Sequence, residues 1–308
     1  MPRDYNRAPE FMILTLVARP PFNFRSVVHS HGWYQLAPWE WDDAAQTLSR
    51  VERLASERVV LLRFRAAGDG LAVETQDRLT LRERGEVERK SAWMFALEAD
   101  FTAFYARADT EPRLAHCRAK AYGRLLRSST MWEDVVKVMM TTNIQWSGTQ
   151  RLVSALVQRF GEPLPNDPSR RAFPKPETIA HSREATLRKL GLGYRAPYLL
   201  KLARGITAGE YDLAALMDPS RPTDELRREL IALPGIGPYA ANTLLAILGR
   251  YDYIGVDTEA ISTVSRHFYD GRPIGEKEIN AVFGAWGEYK ALAYWFWDYA
   301  GMGGDSNG

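Results

Sequence analysis

The chain has 308 residues, 45% of them hydrophobic, enough to bury a sizeable core, and its formal net charge of +2 means that any nucleic-acid-binding face must be local. No apolar run reaches the length of a membrane span, and the start, Met1-Pro2-Arg3-Asp4-Tyr5, lacks the apolar stretch of a signal peptide, so a cytoplasmic location is expected. The single cysteine, Cys117, excludes an internal disulfide and a four-cysteine iron-sulfur cluster and reads as a small buried hydrophobe.

In chain order, His29 and His31 read as strand or loop residues rather than metal ligands. Val59–Arg65 and Leu71–Thr75 alternate apolar and polar residues around Ala66-Ala67-Gly68-Asp69-Gly70, the pattern of a β-hairpin, and Leu79–Arg82 is a candidate further strand. These segments predict an N-terminal α+β domain over residues 1–99. From about Ala92 helical periodicity takes over. Helices are predicted over Asp100–Arg107, Met131–Met140, Gln150–Phe160, Glu184–Leu190, Pro197–Ile206, Asp224–Leu233, Tyr239–Leu248 and Asp257–His267. They form a helical unit over residues 100–308, interrupted by a proline-rich connection from Gly161 to Pro176. The run Arg183, Arg188, Lys189, Arg195, Lys201 and Arg204 fits either a DNA-facing surface or a solvated helix face.

The most informative stretch is Leu233-Pro234-Gly235-Ile236-Gly237-Pro238-Tyr239, followed by Gly255-Val256-Asp257-Thr258. Thr223 and Asp224 are candidate caps for a helix with apolar Leu226, Leu230 and Leu233, so the turn joins two helices. Gly235 and Gly237 are free to take positive φ and allow close backbone approach, and Pro238 suits the first position of the second helix. Such a helix-hairpin-helix presents free N–H groups to a phosphate. Turn chemistry alone also fits a simple glycine-capped connection. Asp257 suits a helix N-cap, and it equally suits a carboxylate facing positive charge on a sugar.

These residues resemble the helix-hairpin-helix (HhH-GPD) DNA glycosylase superfamily of base excision repair. Leu187–Ala196 and Gly123–Arg127 resemble runs of the 8-oxoguanine DNA glycosylases, and Trp286-Gly287-Glu288-Tyr289 with Ala293 resembles a helix those enzymes share with 3-methyladenine DNA glycosylase II. The resemblance implies an α+β fold with a mostly helical core of two subdomains about a cleft, acting as a monomer on damaged double-stranded DNA, and it places Phe22–Arg25 and Gly32–Leu36 in a small antiparallel domain ahead of that core. It makes Asp257 the catalytic carboxylate and needs no organic cofactor. The carbonyls of Ile231, Leu233 and Ile236 would hold a monovalent cation. Relatives that also nick the strand carry a lysine where this chain has Tyr239, eighteen positions before Asp257. A phenol forms no imine, so a monofunctional, water-using glycosylase is expected.

Extrusion of the base leaves a gap in the duplex. The resemblance places Asn143 at the gap-filling position, with Tyr194 and Arg195 beside the orphaned base. Gly148 stands where an arginine helps the 8-oxoguanine enzymes insist on cytosine, which implies weak opposite-base selectivity. Thr243, Tyr294 and Asp298 replace pocket residues of those enzymes. Aromatic faces with a carboxylate suit a cationic alkylated purine such as 3-methyladenine or 7-methylguanine, although Tyr294–Tyr299 must in part face a core. An oxidised-purine glycosylase with lyase activity, using an amine such as Lys290, and a noncatalytic DNA anchor are the alternatives.

Overall fold

The computed structural model describes residues 12–297. The order is β1 (Met12–Val17), α1 (Phe24–Val28), β2 (Trp39–Asp42), β3 (Thr47–Arg53), β4 (Val59–Ala67), β5 (Gly70–Thr75), α2 (Leu81–Met94), α3 (Thr102–Ala108) and α4 (His116–Lys120). Next come α5 (Met131–Thr141), α6 (Trp146–Phe160), β6 (Pro163–Leu164), β7 (Asp167–Arg171), α7 (Pro176–Ala180), α8 (Glu184–Lys189) and α9 (Arg195–Thr207). The chain continues with α10 (Thr223–Ala232), α11 (Pro238–Ile247), α12 (Thr258–Phe268), α13 (Glu276–Phe283) and α14 (Lys290–Phe296).

The first five strands form one antiparallel sheet in the order β1-β5-β4-β3-β2. Its central strand behaves as the alternation predicts: Val60, Leu62 and Phe64 point inward and are buried, with Gly68 at φ +52° in the turn that follows. Other expectations in this region give way to local capping. Leu79–Arg82 is no strand, because Thr80 and Glu83 form a reciprocal capping box that starts α2 at Leu81, so helix begins before Ala92. Phe22–Arg25 enters α1, capped by Asn23 Oδ1 on the Ser26 N–H at 3.0 Å, and Gly32–Gln35 is a 3₁₀ turn. The strands that complete the sheet around the β4–β5 pair are instead β1, β2 and β3. The proline-rich connection carries the β6–β7 ribbon and closes on Pro174, whose carbonyl accepts the Trp132 indole N–H at 2.9 Å. α6 begins four residues before Gln150, at Trp146.

Apolar packing does not break at residue 99. One cluster joins the sheet to α5, α6, α9, α10 and α11, and a second gathers α3, α4, α12, α13 and α14. Charges tie the sheet to the helices as well. Arg50 on β3 lies 2.8 Å from both Glu52 and Glu133, and Lys137, one turn along α5, lies 2.7 Å from Glu133, all buried. Trp33 donates to Asp134 at 2.7 Å. The seam between the two clusters opens into the cavity described next. Among the described residues no helix is long and apolar enough to cross a membrane.

Candidate active site

α10 and α11 are joined by the expected hairpin. Gly235 sits at φ +77°, and a Cβ there would lie 2.8 Å from the Tyr198 Cβ, so the turn admits only glycine. Gly237 departs from expectation: it is extended, at φ −93° and ψ −179°, and serves as N-cap of α11 ahead of Pro238. Neither torsion nor packing within the chain requires glycine here: nothing approaches within 4 Å of where a Cβ would stand, so the position faces open space. The N–H groups of Gly235 and Gly237 have no partner among the described residues and lie at the start of α11, a geometry that suits an anion. Thr223 and Asp224 do not cap α10, whose N-cap is Pro222. Their side chains turn instead to Asp252 and to the Tyr253 hydroxyl.

Asp257 is the N-cap of α12, and its Oδ1 accepts the Ala260 N–H at 2.8 Å. It also lines a cavity of about 810 Å³. Capping and pocket position are thus combined in one side chain. Tyr239, in the first turn of α11, packs at the base of this cavity and donates its phenol to Asp257. Burial, reinforced by the Asp257 charge, pushes that phenol up to about 12. Thr243 lies one turn on, its hydroxyl donating to the Tyr239 carbonyl at 3.0 Å. The loop that delivers Asp257 is held against α11 by Asn242, whose amide donates to the Ile254 carbonyl at 2.9 Å and accepts from Arg227 at 2.8 Å.

The cavity walls are aromatic. Tyr294, Trp295 and Trp297 line one side and Trp33 and Trp146 another, while Phe296 points away into the core. Asp298 lies outside the described residues. His31 also lines the cavity; burial, helped by the Lys137 charge, pushes its ring down to about 3, so it is neutral at physiological pH. Cys117 is buried away from the cavity, and burial raises its thiol to about 12.

On the same face, Asn143 follows α5 with φ +50° and is exposed, its amide 3.5 Å from the Tyr194 hydroxyl. Tyr194 is itself 49% exposed. Arg195 is not on that surface. It is buried, stacks over the Tyr194 ring at 4.6 Å, and donates to the carbonyls of Met139 and Thr142 at the end of α5. Gly148 is buried in the first turn of α6 against Ile144. Of the basic run, Arg183, Lys189, Lys201 and Arg204 are exposed, whereas Arg188 pairs with Glu184.

The family described as HhH-GPD superfamily base excision DNA repair protein matches residues 136–288, from α5 through the hairpin and Asp257 to the turn before α14. The chain belongs to the HhH-GPD superfamily. Among relatives of known name, the N-glycosylase/DNA lyase of Saccharomyces cerevisiae is 22% identical over 214 residues, 58% of this chain and 57% of that protein. The DNA-3-methyladenine glycosylase of Bacillus subtilis is 27% identical over 166 residues, 53% of this chain and 54% of that one. The chain therefore spans little more than half the length of these relatives. The solved 3-methyladenine DNA glycosylase of Archaeoglobus fulgidus superposes with a TM-score of 0.73 at 21% identity, covering 94% of this chain and 97% of the other, which shows a shared fold.

Within this HhH-GPD chain, two residues at the site carried no functional expectation from sequence. Asn242 stands in the hairpin stretch, and its role as a tether to Ile254 emerges only in three dimensions. His31 comes from the N-terminal segment, and only folding carries it to the cavity that Asp257 also lines.

Proposed function

We propose that the protein is a monofunctional DNA glycosylase that extrudes a damaged base from duplex DNA and hydrolyses its N-glycosidic bond, acting on cationic alkylated purines. The observation that carries this reading is Asp257, a carboxylate at a helix N-terminus in an aromatic cavity, beside a protonated phenol where an amine nucleophile would stand.

The hairpin N–H groups of Gly235 and Gly237 grip a backbone phosphate, exposed Asn143 fills the vacated stack, and Tyr194 lies beside the orphaned base. The base enters the seam between the two helical clusters. As the bond from C1′ to the base nitrogen breaks, its electron pair leaves with the base and positive charge grows on the sugar, where Asp257 stabilises it. Water then attacks C1′ and its proton passes to Asp257. A cationic alkylated purine departs as a neutral molecule and needs no proton. This suits a cavity in which His31 has too low a pKa, and Tyr239 too high a one, to protonate a leaving base at neutral pH. The tryptophan walls supply π-faces to a cation.

The protein acts as a monomer on this reading. The carbonyls of Ile231, Leu233 and Ile236 would hold a monovalent cation, which would supply positive charge toward a DNA phosphate. They are neutral oxygens where α10 ends, and Leu233, which accepts the Ile236 N–H at 3.2 Å, keeps a second lone pair.

The test is base release from labelled duplexes carrying 7-methylguanine, 3-methyladenine, 1,N6-ethenoadenine, hypoxanthine, 8-oxoguanine or uracil, for wild type and Asp257→Asn. Abasic sites are read with and without alkali, and borohydride trapping reports any lyase. Alkali-dependent cleavage at alkylpurines, lost in the variant and without a trapped adduct, is expected. Strand cleavage without alkali would favour the lyase alternative, and no release with intact binding would favour a noncatalytic anchor.

A further inference from the structure

We propose that His31 reads the extruded base: its Nε2–H donates to a lone pair on the purine edge, so the cavity favours bases presenting an oxo oxygen or an unprotonated ring nitrogen there. This rests on the glycosylase reading and adds a specificity-determining contact from the N-terminal segment.

The tautomer follows from a chain of hydrogen bonds. Ser30 is buried, and its Oγ accepts the Leu126 N–H at 3.0 Å. The same oxygen lies 3.0 Å from His31 Nδ1. The serine proton needs an acceptor, and among the described residues Nδ1 is the one bonded to it, so Nδ1 carries the lone pair and Nε2 carries the hydrogen. Nε2 is buried and has no hydrogen-bond partner among the described residues. Buried donors are almost always satisfied, and one left open in a residue that borders a ligand-sized cavity marks a contact completed by the ligand.

The ring is also held in place. It packs on Trp33 with centroids 4.5 Å apart and meets Trp295 edge-on at 6.4 Å. Both tryptophans are pinned, Trp33 by its bond to Asp134 at 2.7 Å and Trp295 by its bond to the Ser30 carbonyl at 3.1 Å. A ring fixed this way is a preorganised donor. Because it stays neutral it adds no charge repulsion against a cationic base, and it discriminates by hydrogen bonding alone. An edge that presents an N–H to His31 would face donor against donor.

Two measurements test this. Long-range nitrogen-proton spectra of histidine-labelled protein, with His31 identified by its absence in His31→Phe, should show a neutral ring with hydrogen on Nε2. That resonance should move on addition of free 3-methyladenine or 7-methylguanine. In base release, His31→Phe should keep the stacking and lose roughly 10- to 100-fold in kcat/KM, and His31→Gln, which restores an amide donor, should recover part of it. A proton on Nδ1, a resonance that neither base moves, or an undiminished His31→Phe overturns the proposal. If wild type releases no base from any duplex, the glycosylase reading falls, and the spectra alone decide whether His31 contacts a bound base.

Discussion

Replacing Asp257 by asparagine or by alanine separates its two roles. Asparagine is as good an N-cap as aspartate, so the bond to the Ala260 N–H survives, and the lost charge at the start of α12 costs about 0.3–1 kcal/mol. Alanine loses the cap too, a further ~1 kcal/mol. For a chain of 308 residues that difference corresponds to roughly 1.5 °C in Tm. Catalysis should respond differently. Removing a group aimed at transition-state charge typically costs about 10²–10³ in rate, and both variants lose the carboxylate. Asp257→Asn should therefore be nearly as stable as wild type and at least about a hundredfold slower, while Asp257→Ala should be equally slow and measurably less stable. Thermal melts alongside single-turnover base release measure both quantities. Asparagine at the wild-type rate would remove the carboxylate from the mechanism, and equal Tm losses in the two variants would remove the cap from the fold.

Gly235→Ala puts a Cβ 2.8 Å from Tyr198 in a left-handed conformation, so a loss of about 1–2 kcal/mol and weaker duplex affinity by anisotropy are expected; unchanged affinity would dissociate the turn from DNA binding. Asn242→Ala frees the loop carrying Asp257 and leaves the Ile254 carbonyl without its donor, costing about 1–3 kcal/mol; base release should slow while duplex affinity holds, and a parallel fall in both would refute the tether. The Glu83 carboxyl is held at about 2, below its ordinary value, first by the Thr80 N–H and then by the Ser56 hydroxyl. Its contribution is present in full above the unfolded value near 4 and fades as pH falls through 2. Urea melts of wild type and Glu83→Gln should differ by a constant amount at neutral pH and converge between about pH 4 and 2. A gap that persists at pH 2 contradicts the carboxylate's role.

What the sequence revealed divides along a physical line. The hairpin, α12 and the β4–β5 pair were legible because glycine, proline and apolar periodicity act over a few residues. Asp257 was legible because family resemblance added a position to a local cap. The reading failed where short-range capping overrode strand-like composition, as at Thr80 and Asn23, and where alternative φ served the same turn, as at Gly237. Arg195 looked like a surface residue because it lies in a basic run, yet the carbonyls ending α5 draw its guanidinium inward. His31 and Asn242 could not be assigned from sequence, since their partners are supplied by distant segments.

The buried charges that join β3 to α5 have a consequence for how the molecule comes apart. Were the sheet to open alone, Arg50 would leave with it, and Glu133 and Lys137 would stay buried without their third charge. The sheet and the helices must therefore melt together. A strand that contains none of the residues that touch DNA on our reading thus acts as a keystone for α5, and through it for Asn143 at the point of insertion.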